Sequence, residues 1–168
     1  MIRQQQRQQA QNVAMVPTCL IIEDSKFDQL RMTRMINKSV ADMQIYVATT
    51  LREARLLLAE NRISMILLDN NLPDGLGADF AIELADLKIF SHIPVVMVSD
   101  WPSPFMWEKA ATAGVLHVVN KSEFGLDYLM DALRHAINLK RPRQERRGQG
   151  KCLLSAPSYE GRRHQRCS

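Results

Sequence analysis

Five polar residues in this 168-residue chain share one kind of position. Each stands at or just past the end of a short apolar run. Glu23 and Asp24 follow Cys19–Ile22, Asp69 follows the run 64–68, Ser99 follows the run 94–98, and Lys121 lies just beyond the run 115–119. Taken singly, an aspartate or serine after a strand is a turn residue or helix cap, and a lone lysine is a solvated cation. Gathered at four strand ends of one sheet, they gain a shared chemistry. Three carboxylates held within ~4 Å repel one another by ~4 kcal/mol per pair at an effective dielectric of 20. A hard dication with oxygen ligands removes that repulsion, and Mg²⁺ suits a set that must also meet phosphate oxygens. Zinc does not fit: no Cys/His set has ligand spacing, and His164-x-x-Cys167 is half a site. A carboxylate beside Mg²⁺ and an ammonium is equipped to accept a phosphoryl group, because that transfer is mostly positioning and charge neutralisation. Asp69 is then the nucleophile, Lys121 and Mg²⁺ hold phosphoryl oxygens, and the Ser99 hydroxyl donates to one of them.

The elements that must position these groups are read from the changing period of the apolar pattern. The short continuous run at 19–22 suits a strand buried on both faces, and 44–48, 64–68, 94–98 and 115–119 read as further strands. Between them lie helices. Ser25 caps one, with Asp28 three residues on and an apolar stripe of Phe27, Leu30, Met35 and Ile36. Thr50-Leu51-Arg52-Glu53 is a capping box that opens a helix to about Glu60. The turn formers 70–77 predict a loop, followed by a helix from about Ala78 to Leu87. Ser103-Pro104 reads as a cap with proline in the first helical position, and Gly114 stops that helix. Ser122 caps the last helix. Five strands alternating with five helices predict an α/β domain whose parallel sheet is covered on both faces, with function at the carboxyl ends of the strands.

Composition sets the limits. Apolar residues make up 46% of the chain, enough for one core, and no stretch approaches the ~20 apolar residues of a membrane span. The formal charge of +4 is unevenly spread. Residues 138–168 carry nine Lys/Arg against Glu145 and Glu160, Arg3 and Arg7 stand alone in 1–17, and the segment between is acidic. An acidic globule with basic ends excludes a whole-domain nucleic-acid surface. Domain organisation follows: a disordered Gln-rich segment 1–17, a folded domain 18–139 and a disordered basic tail 140–168. Three cysteines (Cys19, Cys152, Cys167) and an N-terminus with no apolar leader point to the reducing cytoplasm, with Cys19 as inert core.

Leu20-Ile21-Ile22-Glu23-Asp24-Ser25, Leu67-Leu68-Asp69-Asn70-Asn71-Leu72-Pro73-Asp74-Gly75, Val96-Met97-Val98-Ser99 and Asn120-Lys121-Ser122 resemble, in order and spacing, the signature blocks of the response-regulator receiver family of two-component signalling. The resemblance covers about Thr18 to Leu139. It implies a doubly wound, flavodoxin-like (βα)5 sandwich with strand order 2-1-3-4-5. It also implies Mg²⁺ on Asp24, Asp69 and the main-chain carbonyl of Asn71, assisted by Glu23, and phosphoryl supply by a histidine kinase or phosphotransfer protein. Ser99 would swing toward the aspartyl phosphate and alter the surface of the fourth helix, fifth strand and last helix, where a downstream protein docks. Such a chain is a stand-alone phosphoacceptor and not a turnover enzyme.

Three positions depart from the family pattern. Val118 stands where an aromatic residue is usual, Asp100-Trp101 follow Ser99 where small residues are usual, and Ser122 replaces a proline. A carboxylate and an indole next to the phosphoryl group would hinder an attacking water. Two other functions compete with the receiver reading. A dehalogenase-type hydrolase needs a second Asp two residues after the nucleophile, and Asn71 stands there, unable to transfer protons in that role. In the other, the basic tail contacts nucleic acid or an anionic surface under control of the folded domain.

Overall fold

The computed structural model describes residues 16–140, and side chains as far as 137. Nearly all of the two predicted tails, with Cys152, His164 and Cys167, lies outside the described residues. Among the described residues, seven strands and five helices follow in the order β1 (Thr18–Ile22), α1 (Lys26–Ser39), β2 (Gln44–Ala48), α2 (Leu51–Glu60), β3 (Met65–Leu68), β4 (Asn71–Leu72), β5 (Gly75–Leu76), α3 (Gly77–Asp86), β6 (Val95–Ser99), α4 (Pro104–Thr112), β7 (His117–Asn120) and α5 (Leu126–Lys140). The main sheet has five strands in the order β2-β1-β3-β6-β7, every neighbouring pair parallel. With the small β4–β5 hairpin set aside, this is the expected order 2-1-3-4-5.

The continuous apolar runs form the central strands because both sheet faces are covered. All residues of β1, β3 and β6 are buried. Alternate residues feed two separate cores. Leu20, Ile22, Ile66, Leu68 and Met97 pack with residues of α2, α3 and α4, such as Leu58, Phe80 and Met106. Cys19, Ile21, Met65, Leu67, Val96 and Val98 pack with Met32 and Ile36 of α1 and Leu129 and Leu133 of α5. Burial pushes the Cys19 thiol up to about 12, so it packs as an inert small apolar group. No helix among the described residues is long and apolar enough to cross a membrane.

Helix starts follow the side chains that satisfy their free N–H groups. Ser25 Oγ accepts from the Asp28 N–H at 3.4 Å, Thr50 Oγ1 from Glu53 at 3.1 Å and Ser103 Oγ from Met106 at 3.2 Å, with Pro104 in the first turn. Four details differ from the sequence expectation. The turn formers at 70–77 close into the antiparallel β4–β5 hairpin, where Asn71 faces Leu76 and Leu72 faces Gly75. The fifth strand of the sheet, β7, begins at His117 and not at Val115. Ser122 does not cap the last helix: its N–H and its hydroxyl both donate to Asn120 Oδ1, at 2.9 and 2.6 Å, closing a turn, and α5 begins at Leu126. On α1 the buried face is Gln29, Met32 and Ile36, whereas Phe27 and Leu30 point outward, 74% and 54% exposed. The predicted stripe was set by residue type. The helix instead turns its Gln29 inward, because the Gln29 amide donates to the Glu23 carbonyl at 2.6 Å.

Candidate functional site

Backbone pairing places the strand-end groups before any side-chain contact is considered. The Asp69 N–H donates to the Ile22 carbonyl at 2.9 Å, so the residue after β3 is fixed next to the residue after β1. The Lys121 N–H donates to the Ser99 carbonyl at 3.1 Å, which ties the tip of β7 to the tip of β6. Asn120 adds a bond from Nδ2 to the Asp100 carbonyl at 2.8 Å. Gly77 fixes the loop after Asp69 from the other side. Its N–H donates to the Asn70 carbonyl at 2.8 Å, and a Cβ at this position would sit 2.1 Å from the Asp69 carbonyl oxygen. Only glycine permits that approach.

The side chains then converge. Glu23, Asp24 and Asp69 offer carboxylate oxygens that all lie within 4.8 Å of one another. Glu23 and Asp69 are buried, and Asp24 is exposed. The Lys121 ammonium, also buried, stands 2.8 Å from Glu23 Oε2 and 3.3 Å from Asp69 Oδ2. Burial pushes the Asp69 carboxyl above the ordinary aspartate range; the charge of Lys121 and the N–H groups of Asn70 and Asn71 pull the other way without cancelling it. Burial likewise raises Glu23, against the pull of Lys121 and the Ser25 N–H. For Lys121, burial alone would favour the neutral amine, but contacts with Glu23, Asp69 and Asp28 outweigh it and hold the ammonium charged. Ser99 is fully buried, and its hydroxyl has no hydrogen-bond partner among the described residues. A buried hydroxyl left unsatisfied costs ~1–3 kcal/mol.

This set fits a hard dication. One ammonium contacts two of these three oxygen-donor carboxylates, Glu23 and Asp69, so negative charge remains in excess, and repulsion at 4.8 Å amounts to roughly 3.5 kcal/mol per pair at a dielectric of 20. Glu23, Asp24, Asp69 and Lys121 are thus brought together as expected. Ser99 stands at the same sheet edge, and Asn71 opens β4 two residues after Asp69. Two members of the site were not foreseen. Asp28 Oδ2 lies 3.2 Å from the Lys121 ammonium, and the Arg31 guanidinium donates to the Lys121 carbonyl. By sequence Asp28 belongs only to the helix cap; the available signal is an acid and a base three residues apart in the first turns of a helix that starts at the site. His117 and His135 both meet Asp131: His117 Nε2 lies 2.8 Å from Asp131 Oδ2, and His135 Nδ1 lies 3.0 Å from its carbonyl. They are structural contacts of β7 and α5, away from the acids.

Comparison with known proteins agrees with this geometry. Residues 19–134 match the model of the response regulator receiver domain. The chain is 33% identical over 95 residues to the KDP operon transcriptional regulatory protein KdpE of Escherichia coli K12, a match covering 56% of this chain and 40% of that protein. The chain therefore spans well under two thirds of that relative's length. A CheY-like receiver domain protein from Methanospirillum hungatei superposes with a TM-score of 0.65 at 17% identity, over 74% of this chain and 96% of that one. The Mn²⁺-bound form of response regulator Rcp1 gives 0.60 at 22% identity, over 73% and 91%. These likenesses show the same fold. The family match extends across both acid-bearing strand ends, the Ser99 tip and Lys121, and by it the chain belongs to the response-regulator receiver domain family.

Proposed function

We propose that this protein is a phosphoacceptor receiver, folded over 18–139, that takes a phosphoryl group from a histidine kinase or phosphotransfer protein onto Asp69. The observation that carries this reading is the buried Asp69 carboxylate, 3.3 Å from the Lys121 ammonium and within 4.8 Å of two further acids. In the transfer, an Asp69 carboxylate oxygen forms a bond to phosphorus while the bond to the donor atom breaks and the donor keeps the electron pair. Lys121 holds an equatorial oxygen of the transferring group, and the free Ser99 hydroxyl donates to another. Asp24, Asp69 and the Asn71 carbonyl, with Glu23 assisting, would hold Mg²⁺. When bound, the ion neutralises the charge of the carboxylates and of the arriving phosphoryl oxygens. The divalent ion named for Rcp1 supports this assignment.

Asn71 cannot serve as acid or base two residues from the nucleophile, which favours a switch over a turnover enzyme. Its output is contact with a downstream protein over α4, β7 and α5. Support comes from Trp101, Phe105 and Trp107, which stand 85%, 60% and 49% exposed around the start of α4. Such clustered aromatics suit a protein partner. Because phosphoryl donors are made from ATP, this reading places the protein in the cytoplasm. Incubation with acetyl phosphate and Mg²⁺, followed by intact mass, tests it. One phosphoryl group should be gained by the parent and none by Asp69→Ala; equal gain in both, or none in the parent, would reject the assignment.

A further inference from the structure

Lys121 is gripped at both ends by one helix. Its ammonium has three N–H bonds and three carboxylates around it: Glu23 at 2.8 Å, Asp28 at 3.2 Å and Asp69 at 3.3 Å. Two of these partners come from the sheet edge, and Asp28 comes from the first turn of α1. One turn further along the same face, the Arg31 guanidinium donates to the main-chain carbonyl of Lys121, and its Nε stands 3.9 Å from Asp28 Oδ1. A first-turn aspartate that served only the helix dipole could point into water. The Asp28 side chain is instead only 15% exposed and directed at the lysine.

We propose that Asp28, braced by Arg31, is a positioning residue for phosphoryl acceptance, which with Glu23 cradles the Lys121 ammonium so that its remaining N–H faces Asp69. This rests on the receiver reading above. The cradle matters because Asp69 is the one partner of the three whose charge the transfer consumes. As its carboxylate becomes an acyl phosphate, the N–H that faced it passes to a phosphoryl oxygen, while Glu23 and Asp28 keep the nitrogen in place. Without Asp28 the long lysine stem is held on one side only, and the ammonium has to be ordered anew at each transfer. Loss of such pre-positioning slows a reaction without changing its groups.

The test is a double-mutant cycle on the full chain with acetyl phosphate and Mg²⁺, followed by intact mass. Asp28→Asn should slow phosphoryl gain about tenfold, and in a Lys121→Ala background it should change the already slow rate by less than about twofold. Equal fold-losses in the two backgrounds would mean that Asp28 acts through the fold and not through Lys121, and would overturn the proposal. Arg31→Met leaves the first turn of α1 intact and gives a second handle if Asp28→Asn folds poorly. It should slow the gain about threefold, again only when Lys121 is present. A readout free of phosphoryl chemistry is the ¹H–¹⁵N signal of the Lys121 ammonium, which should be observable in the parent and broadened beyond detection in Asp28→Asn. An unchanged signal counts against the cradle. If the parent took no phosphoryl group at all, the receiver reading would fail, and the ammonium signal would still decide whether Asp28 orders Lys121.

Discussion

Replacing Lys121 with methionine keeps the stem and removes the cation that lies among the buried acids. Glu23 is completely buried and Asp69 is 5% exposed, so neither can regain full hydration when the ammonium goes. Removing one partner of a buried ion pair costs ~3–5 kcal/mol. Because Asp24 and part of Asp28 reach solvent, the lower end applies, about 3 kcal/mol at neutral pH without divalent ions. Two compensations are open to the variant, and both can be measured. The first is protonation. Burial already holds Glu23 and Asp69 above their ordinary range, and loss of the ammonium raises them further. A carboxyl whose folded value lies above its unfolded value of about 4 favours the folded state at low pH, and that favour is lost as pH climbs through the folded value. The deficit should therefore be largest near pH 8 and shrink toward pH 5. Lys121 itself, held above its ordinary range, contributes fully below about pH 10 and adds no slope to the parent in this window. The second compensation is a dication, which at ten times its dissociation constant returns about 1.4 kcal/mol. Urea unfolding of parent and Lys121→Met at pH 5 and pH 8, with EDTA or with Mg²⁺, separates these terms. A deficit under about 1 kcal/mol at pH 8 in EDTA, or one that is unchanged at pH 5, would refute the claim that the ammonium holds these carboxylates.

Three further outcomes follow from the same contacts. Mg²⁺ at ten times its dissociation constant should raise the Tm of the parent by about 3–6 °C, and Asp24→Ala should abolish the rise; a persistent rise, read by differential scanning fluorimetry, would place the ion elsewhere. Gly77→Ala forces a methyl group to 2.1 Å from the Asp69 carbonyl oxygen, so it should cost at least ~2 kcal/mol in urea unfolding and slow phosphoryl gain from acetyl phosphate. Normal stability and normal gain together would disprove the tight approach. Asp74 accepts from the Leu51 and Arg52 N–H groups at 2.8 and 2.9 Å, which hold its carboxyl below the usual range. Its contribution is present above about pH 4 and lost as pH falls through the folded value. The Tm gap between the parent and Asp74→Ala should accordingly be clear at pH 7 and close in acid, and a gap that persists at pH 2 would contradict the capping role.

Much of the site is written in local pattern. A strand buried on both faces needs an unbroken apolar run, and the first polar residue after that run must lie at the sheet edge. Glu23, Asp24, Asp69, Ser99 and Lys121 could therefore be picked out from the chain alone, with the chemistry that three acids and a lysine support. The helix caps at Ser25, Thr50 and Ser103 were legible for a similar reason, since each is a contact across three residues. Where a local signal had a competitor, it misled. Ser122 looked like a cap, but the Asn120 side chain captures it. Phe27 and Leu30 looked like core, but Gln29 takes the inward place because the Glu23 carbonyl needs its donor.

The alternation of elements, the two-faced burial of β1, β3 and β6 and the polar groups at the strand ends were legible in the chain, since these depend on residues next to one another. Only the packed fold sets that Asp28 meets an ammonium 93 residues away, that Asp74 caps a helix begun 23 residues earlier and that Gly77 must let the loop after Asp69 pass. These contacts join single polar residues across loops, and a single residue has no period. Their partners are set by how the sheet and helices stack, which is a property of the packed core as a whole.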